Sequence, residues 1–355
     1  MTTHEEMLQT IQQPDYNFIR NDPKLGDNIM LLGLGGSRSY GVEKQSSDWD
    51  FRGFASRSPR EILLGQDYET FTDNNTDTTI YSFDKILRLL ADCNPNTIEL
   101  LGLKPEHYLV MNDAAEYMVK NSDMFLSKRA EWSFGGYAIQ QMRRLQLLAV
   151  REVNQAQREA FIMETLQHAS HNFQEKYGIP TDSNIQLFID KSSRNELDEE
   201  IFMNINIKNY PLRDYVSMIN EMNAIIRSYN SIGSRNSKAI EHDKINKHQM
   251  HLARLYLMAF DILNDGKIIT FREKERDFLM DIRNGKYITE DNQPTKEFKQ
   301  MVDEWEIQLK HAAQHSPLPD KPDWERINKF KAEVNYSVIN NSDIFREEIS
   351  AEYRQ

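Results

Sequence analysis

Leu31-Leu32-Gly33-Leu34-Gly35-Gly36-Ser37-Arg38-Ser39-Tyr40-Gly41, with Ser47-Asp48-Trp49-Asp50-Phe51-Arg52-Gly53 close behind it, is the stretch whose reading decides the fold. The apolar run Asn28 to Gly33 reads as a strand, and Asp50 to Ser56 as the next one. Between them lies a glycine turn, and three known uses of such a turn can be compared. A dinucleotide-binding fingerprint needs a third glycine where Arg38 stands, and that side chain would obstruct close packing of helix on strand. A P-loop needs Lys-Ser/Thr after Gly41, where the chain has Val42-Glu43. What remains is a strand, a Gly36-Ser37 turn and a pair of aspartates, Asp48 and Asp50, entering the following strand.

In a strand, side chains at i and i+2 share a face, so Asp48 and Asp50 are expected to project together. Two adjacent carboxylates repel unless divalent cations sit between them, and Mg²⁺ is held by one or two carboxylates plus substrate phosphates. Two such ions would activate an attacking hydroxyl and stabilise a leaving pyrophosphate. Gly36 has no Cβ to block a phosphate, and Ser37 offers a hydroxyl and a backbone N–H. Arg38, in the same turn, suits bidentate phosphate contact. The competing reading has Ser46-Ser47-Asp48 capping a turn with solvent-facing aspartates. Arg52 reads equally as a phosphate contact or as a salt bridge that fixes the strand.

Outward from this stretch the chain has two textures. Tyr68 to Thr72 and Thr78 to Tyr81 read as a strand pair around the turn Asp73-Asn74-Asn75-Thr76-Asp77. Phe83 to Ala91 reads as a helix, and Asn94-Pro95 as the cap and first residue of a second one carrying Ile98, Leu100 and Leu101. Strands interleaved with helices indicate an α/β or α+β unit. Beyond about residue 111 the texture turns helical. Met142, Leu145, Ala149, Val153, Ala156, Ala160 and Met163 make one apolar face within the Gly- and Pro-free run Tyr137 to Tyr177. Leu212, Val216, Ile219, Met222, Ile226 and Tyr229 repeat the pattern, as do Leu252, Leu255, Ala259 and Ile262. Gly178 to Ser193 and Ser316 to Asp323 read as connectors. The expected division is a catalytic domain over 1–130 and a helical domain over 131–355.

Composition narrows the class. The chain has 355 residues with 39% hydrophobic content, room for about two domains with real cores. No apolar run approaches the roughly 20 residues of a membrane helix, and MTTHEEMLQT lacks the basic and apolar regions of an export signal. The single cysteine, Cys93, excludes an internal disulfide and a thiolate zinc cluster, suits a cytoplasmic location, and reads as a small buried residue rather than a nucleophile. A net charge of -12 argues against tight non-specific binding along a nucleic-acid duplex, and neither part of the chain is basic. His168 and His171, like His248 and His251, lack a third ligand, so zinc is not expected. Lys247, His251 and Arg254 fall at i, i+4 and i+7, a basic helical stripe that reads either as a solvated face or as a phosphate contact. Arg272, Lys274, Arg276, Arg283 and Lys286 form a second basic segment.

Gly36-Ser37-Arg38-Ser39-Tyr40-Gly41 with Ser47-Asp48-Trp49-Asp50-Phe51-Arg52-Gly53 resembles the G-S-x-x-Y-G…S-D-x-D-[FY]-R-G signature of nucleotidyltransferases of the DNA polymerase β superfamily, closest to a branch that includes RNA-repair, ligase-associated polymerases. Asp77-Thr-Thr-Ile-Tyr, Asn94-Pro95-Asn96 with Glu99-Leu-Leu, and Lys247-x3-His251-x2-Arg254-Leu extend the likeness. The resemblance implies an α+β fold: a small mixed sheet with flanking helices, followed by a mainly helical C-terminal domain. It implies a metal-dependent, pyrophosphate-releasing transfer of a nucleoside monophosphate from an NTP, with Mg²⁺ or Mn²⁺ on Asp48, Asp50 and a third carboxylate from a later strand. Asp77 is the best match for that third group, with Asp73 or Asp84 as substitutes. Gly36, Ser37, Arg38, Lys247, His251 and Arg254 would then serve the nucleotide. An RNA or tRNA end is the implied acceptor. Transfer to a small molecule or protein, and a non-catalytic nucleotide-binding module, are the alternatives.

Overall fold

Six consecutive residues, Ile29–Leu34, form β1 with every one of them buried, so this strand needs neighbours along both edges and layers over both faces. In the computed structural model, which describes residues 2–138, 184–191, 199–206, 208–230, 242–289 and 293–340, β1 has both. It pairs antiparallel with β2 (Phe51–Ala55) on one side and with β5 (Tyr108–Met111) on the other. β2 pairs parallel with β4 (Thr78–Ser82), which is hairpinned to β3 (Thr70–Asp73). The sheet order is β3-β4-β2-β1-β5, a mixed sheet with helices. It is the α+β class expected from the sequence; β1 to β4 lie within two residues of their expected bounds, and β5 is a strand the sequence reading did not name.

Local rules account for the helices that follow. Ser82 caps Phe83–Ala91 by accepting the Lys85 N–H, and Phe83, Ile86, Leu87, Leu90 and Ala91 are its buried positions, at steps of three and four. Asn94 caps the next turn with Pro95 in the first helical position, as expected. That helix stops at Ile98, and a 3₁₀ segment, Glu99–Gly102, carries Leu100 and Leu101 into the core.

By contacts the chain divides into two compact units, one of 1–141, 249–287 and 295–355, the other of 142–248 and 288–294. The sheet unit therefore draws in helices from far down the chain. Trp324–Asn340 brings Phe330, with a T-shaped contact to Phe83 at 5.8 Å and stacking on Tyr117 at 5.6 Å. Leu252, Leu255, Ala259 and Ile262 are all buried in this unit, as their spacing predicts. Ser316 to Asp323 is the connector expected between helices Lys296–His315 and Trp324–Asn340. Cys93 is buried, and its thiol, raised by burial, lies 3.5 Å from the Phe125 carbonyl, which fits the packing role.

The second unit holds two corrections. Residues 184–191, within the expected connector Gly178 to Ser193, form β6 (Asn184–Lys191), paired antiparallel with β7 (Glu199–Asn206). The period-two alternation of Ile185, Leu187 and Ile189 against Ile205, Met203 and Ile201 is the physical reason. Helix Leu212–Asn230 is present and Met222 of the expected stripe is buried, but Leu212 and Val216 are exposed, and Met218, outside the stripe, is buried. Its inward face is thus rotated from the expected stripe. The run from 139 to 177 with its apolar face, and His168 and His171, lie outside the described residues. No described helix is long and apolar enough to cross a membrane.

Phe330→Ala is expected to destabilise the protein by about 3–5 kcal/mol in denaturant unfolding, the cost of truncating a core aromatic. A change within about 0.5 kcal/mol, the range of surface substitutions, would show that helix Trp324–Asn340 is no part of the sheet unit's core.

Candidate active site

Strand directions bring the sequence motifs to one end of the sheet. Leu34 pairs with Phe51 where β1 ends and β2 begins, and the Gly35 N–H extends that pairing to the Asp50 carbonyl at 2.8 Å. Phe51 in turn pairs with Thr78 at the start of the parallel strand β4. Asp50 and Asp77 therefore each precede the first residue of neighbouring strands in matching register. Asp48 and Asp50 lie on the approach to β2 rather than within the strand, with Asp48 exposed and Asp50 half-buried. Asp77 is exposed in the β3–β4 turn, where its φ is +48°. A shared neighbour registers the cluster: burial pushes the Tyr16 phenol upward, and the charges of Asp15, Asp50, Asp73 and Asp77 push it the same way.

Gly36 explains how Asp50 is seated. It opens the short helix Gly36–Tyr40 with φ +63°, and a Cβ built there would lie 1.6 Å from Asp50 Oδ2. The carboxylate occupies the space a side chain would take, so only glycine serves. Ser37 is buried in the same turn. Arg38 turns back on the aspartate loop: it donates to the carbonyls of Ser47 at 2.7 Å and Asp48 at 3.2 Å and lies over the Trp49 ring at 4.1 Å. In this arrangement Arg38 shapes the loop that carries Asp48. Of the substitutes for Asp77, Asp84 is bound to Arg57 and Lys331, and Asp73 Oδ1 caps its own turn through Asn75 and Thr76.

Donor chemistry decides which metal these groups suit. They are hard carboxylate oxygens, which fit Mg²⁺ or Mn²⁺. Among the described residues no group of three or more His, Cys, Asp or Glu is arranged to hold an ion unaided. One or two carboxylates completed by ligand phosphates is the usual arrangement for Mg²⁺, and the set fits an ion completed in that way.

Behind the turn lies a group that sequence reasoning met only as a motif match. Glu99 is 1% exposed and receives three partners: Arg52 Nη1 at 2.5 Å, Arg254 Nη1 at 2.9 Å and the Tyr40 hydroxyl at 2.5 Å. Arg254 also lies over the Tyr40 ring at 3.8 Å. Burial raises the Tyr40 phenol well above its usual range, Arg254 works against that rise, and Glu99 adds to it. Arg52 therefore takes the salt-bridge alternative, and it donates to the Asn96 carbonyl as well.

The basic stripe is not a single face of one character. Lys247 is exposed, His251 is half-buried and Arg254 is buried on Glu99, because helix His242–Phe260 is enclosed on most sides from Gln249 to Ala259. Three members of the second basic segment are paired within the protein: Arg272 with Asp261 at 2.5 Å, Arg276 with the Gly41 carbonyl at 2.9 Å, and Lys286 with Asp281 at 2.7 Å.

A family model described as the RNA repair pathway DNA polymerase beta family matches residues 3–176. No curated protein and no solved structure matches the chain.

Arg254→Ala leaves a buried carboxylate short of a partner and is expected to cost about 3–5 kcal/mol in unfolding experiments. Pairing it with Glu99→Gln should recover part of that loss, a coupling that a double-mutant cycle measures directly. Gly36→Ala places a methyl group on the Asp50 carboxylate and forces a left-handed backbone on alanine, at about 1–3 kcal/mol. Nucleotide affinity of the folded Gly36→Ala protein should fall with it.

Proposed function

We propose that this chain, whose residues 3–176 match the model of the RNA repair pathway DNA polymerase beta family, transfers a nucleoside monophosphate from an NTP to an acceptor hydroxyl, with an RNA end as the acceptor. The observation that carries this reading is the seating of Asp50 against the Cβ-free face of Gly36, with Asp77 in register on the neighbouring strand. A carboxylate that takes the place of a glycine side chain beside a backbone turn has a use where phosphate and metal must meet.

Asp48 and Asp50 would hold the divalent ion, with Asp77 completing the set. When bound, the ion supplies charge neutralisation on the phosphates and acidifies the attacking hydroxyl. The chain's own groups do the rest. Backbone N–H groups at Gly36 and Ser37, with the Ser37 hydroxyl, bind the triphosphate. Arg38 and Trp49 keep the Asp48 loop in place. Asp77 accepts the proton from the acceptor hydroxyl, directly or through water, as that oxygen forms its bond to the α-phosphorus. The bond from the α-phosphorus to the bridging oxygen breaks, and pyrophosphate leaves. Residues 1–130 carry this chemistry in our reading. Arg254 acts through Tyr40 and Glu99, as a positioning residue.

A net charge of -12 favours a short contact with the acceptor and keeps transfer to a small molecule or protein as the second reading. Incubation with each α-labelled NTP and Mg²⁺, with and without RNA, followed by mass analysis of the labelled product, separates the two. Asp48→Asn and Asp50→Asn should each lower transfer by roughly a hundredfold or more while leaving thermal unfolding nearly unchanged, since each removes a metal charge at constant volume. Full transfer by both variants would overturn the reading.

A further inference from the structure

Of the chain's four tryptophans, two are used in packing: Trp49 against Phe51 and Arg38, and Trp305 among Tyr256, Phe278 and Phe298. The other two face outward into one surface concavity. Trp132 is 68% exposed and Trp324 is 42% exposed, and Lys128, Arg129 and Lys321 stand around them. Leaving two large indoles in water forgoes the burial that usually retains them, so the pair calls for a partner.

This concavity is firmly built. The Lys128 N–H donates to the Pro319 carbonyl at 2.9 Å, and the Asp323 N–H donates to the Met124 carbonyl at 2.9 Å, so two distant segments are stitched together on either side of it. Ser133 donates to the Asp92 carbonyl and Arg129 bonds Asp92 Oδ1 at 2.6 Å, which fixes the base of the Trp132 turn. Its lining is indole faces and charges with no aliphatic side chain, unlike a groove for an apolar helix. Lys128 and Lys321 stand there with Glu131 and Asp320, while Arg129 is held by Asp92. Asp320 is 87% exposed, and its 3.5 Å pair with Lys128 is a loose surface contact that a phosphate can replace.

The patch also connects with the catalytic end of the sheet. Trp132 and Tyr137 share the helical segment 129–138. The Tyr137 hydroxyl accepts from Asn96, whose carbonyl accepts from Arg52 at 3.1 Å, two residues from Asp50.

We propose that Trp132 and Trp324, with Lys128 and Lys321, form a stacking platform for the unpaired nucleotides of a single RNA strand. Aromatic stacking on bases is sequence-tolerant and needs few cations. It is the way an acidic chain can hold a strand without a long basic footprint. Only the identification of that strand with the acceptor rests on the nucleotidyl-transfer reading; the binding itself does not.

The test is fluorescence anisotropy of the full chain with a labelled ten-nucleotide single-stranded RNA, without NTP. Trp132→Ala and Trp324→Ala should each weaken binding about tenfold, with Trp132→Phe recovering most of the loss. The slope of log affinity against log salt should be no steeper than about -1.4, the figure for two cations on a single strand. Affinity for a blunt duplex should not respond to either tryptophan. If both alanine variants bind the strand as the unaltered protein does, the platform is overturned; it is equally overturned if they change self-association in sedimentation while strand affinity stays put, or if the unaltered protein binds no single strand. If strand binding follows the tryptophans but no acceptor takes label, the platform stands and the transfer reading fails.

Discussion

A buried carboxylate with two arginines and a phenol on it is the constraint on which the rest of this structure depends. Glu99 gathers Arg52 from β2, Arg254 from helix His242–Phe260 and Tyr40 from the turn helix onto its two oxygens. Taking these charges out of water is costly, and the cost is met only while every partner stays in place. Four chain segments are therefore held in one arrangement. The Thr270 hydroxyl adds a fifth by donating to the Glu99 carbonyl at 2.6 Å.

That arrangement reaches the aspartates through very short paths. Tyr40 closes the helix that Gly36 opens, so anchoring the phenol on Glu99 sets where the Gly36 backbone lies. Gly36 in turn bounds the Asp50 carboxylate, and Arg38 between them fixes the Asp48 loop through its carbonyls. The arginines nearest the site thus spend their donors on the protein itself. Reactive geometry is preserved by groups that have no need to touch a substrate.

Acidity and nucleic-acid chemistry are compatible on the same grounds. A chain of net charge -12 gains little from long-range attraction to a polyanion. On the proposed platform, stacking of bases on Trp132 and Trp324 would supply short-range contact instead.

Much of the fold was legible in the sequence because it follows short-range rules. The β1 and β2 runs, the β3–β4 hairpin, the Ser82 and Asn94 caps and the helix Phe83–Ala91 all depend on residues within a few positions of one another. So does the closeness of Gly36 and Asp50, which strand-turn-strand spacing already suggests. The alternation in 184–191 and 199–206 was equally local, and the hairpin it forms follows from it. What only the tertiary structure decided is the fate of the charges. Arg254 lies 155 residues from Glu99 in the chain, and its helical spacing with Lys247 and His251 is the same whether that face meets water, phosphate or a buried carboxylate. Periodicity specifies which residues share a face. The medium that face enters, and hence whether a cation binds ligand or protein, is set by which distant segment packs against it.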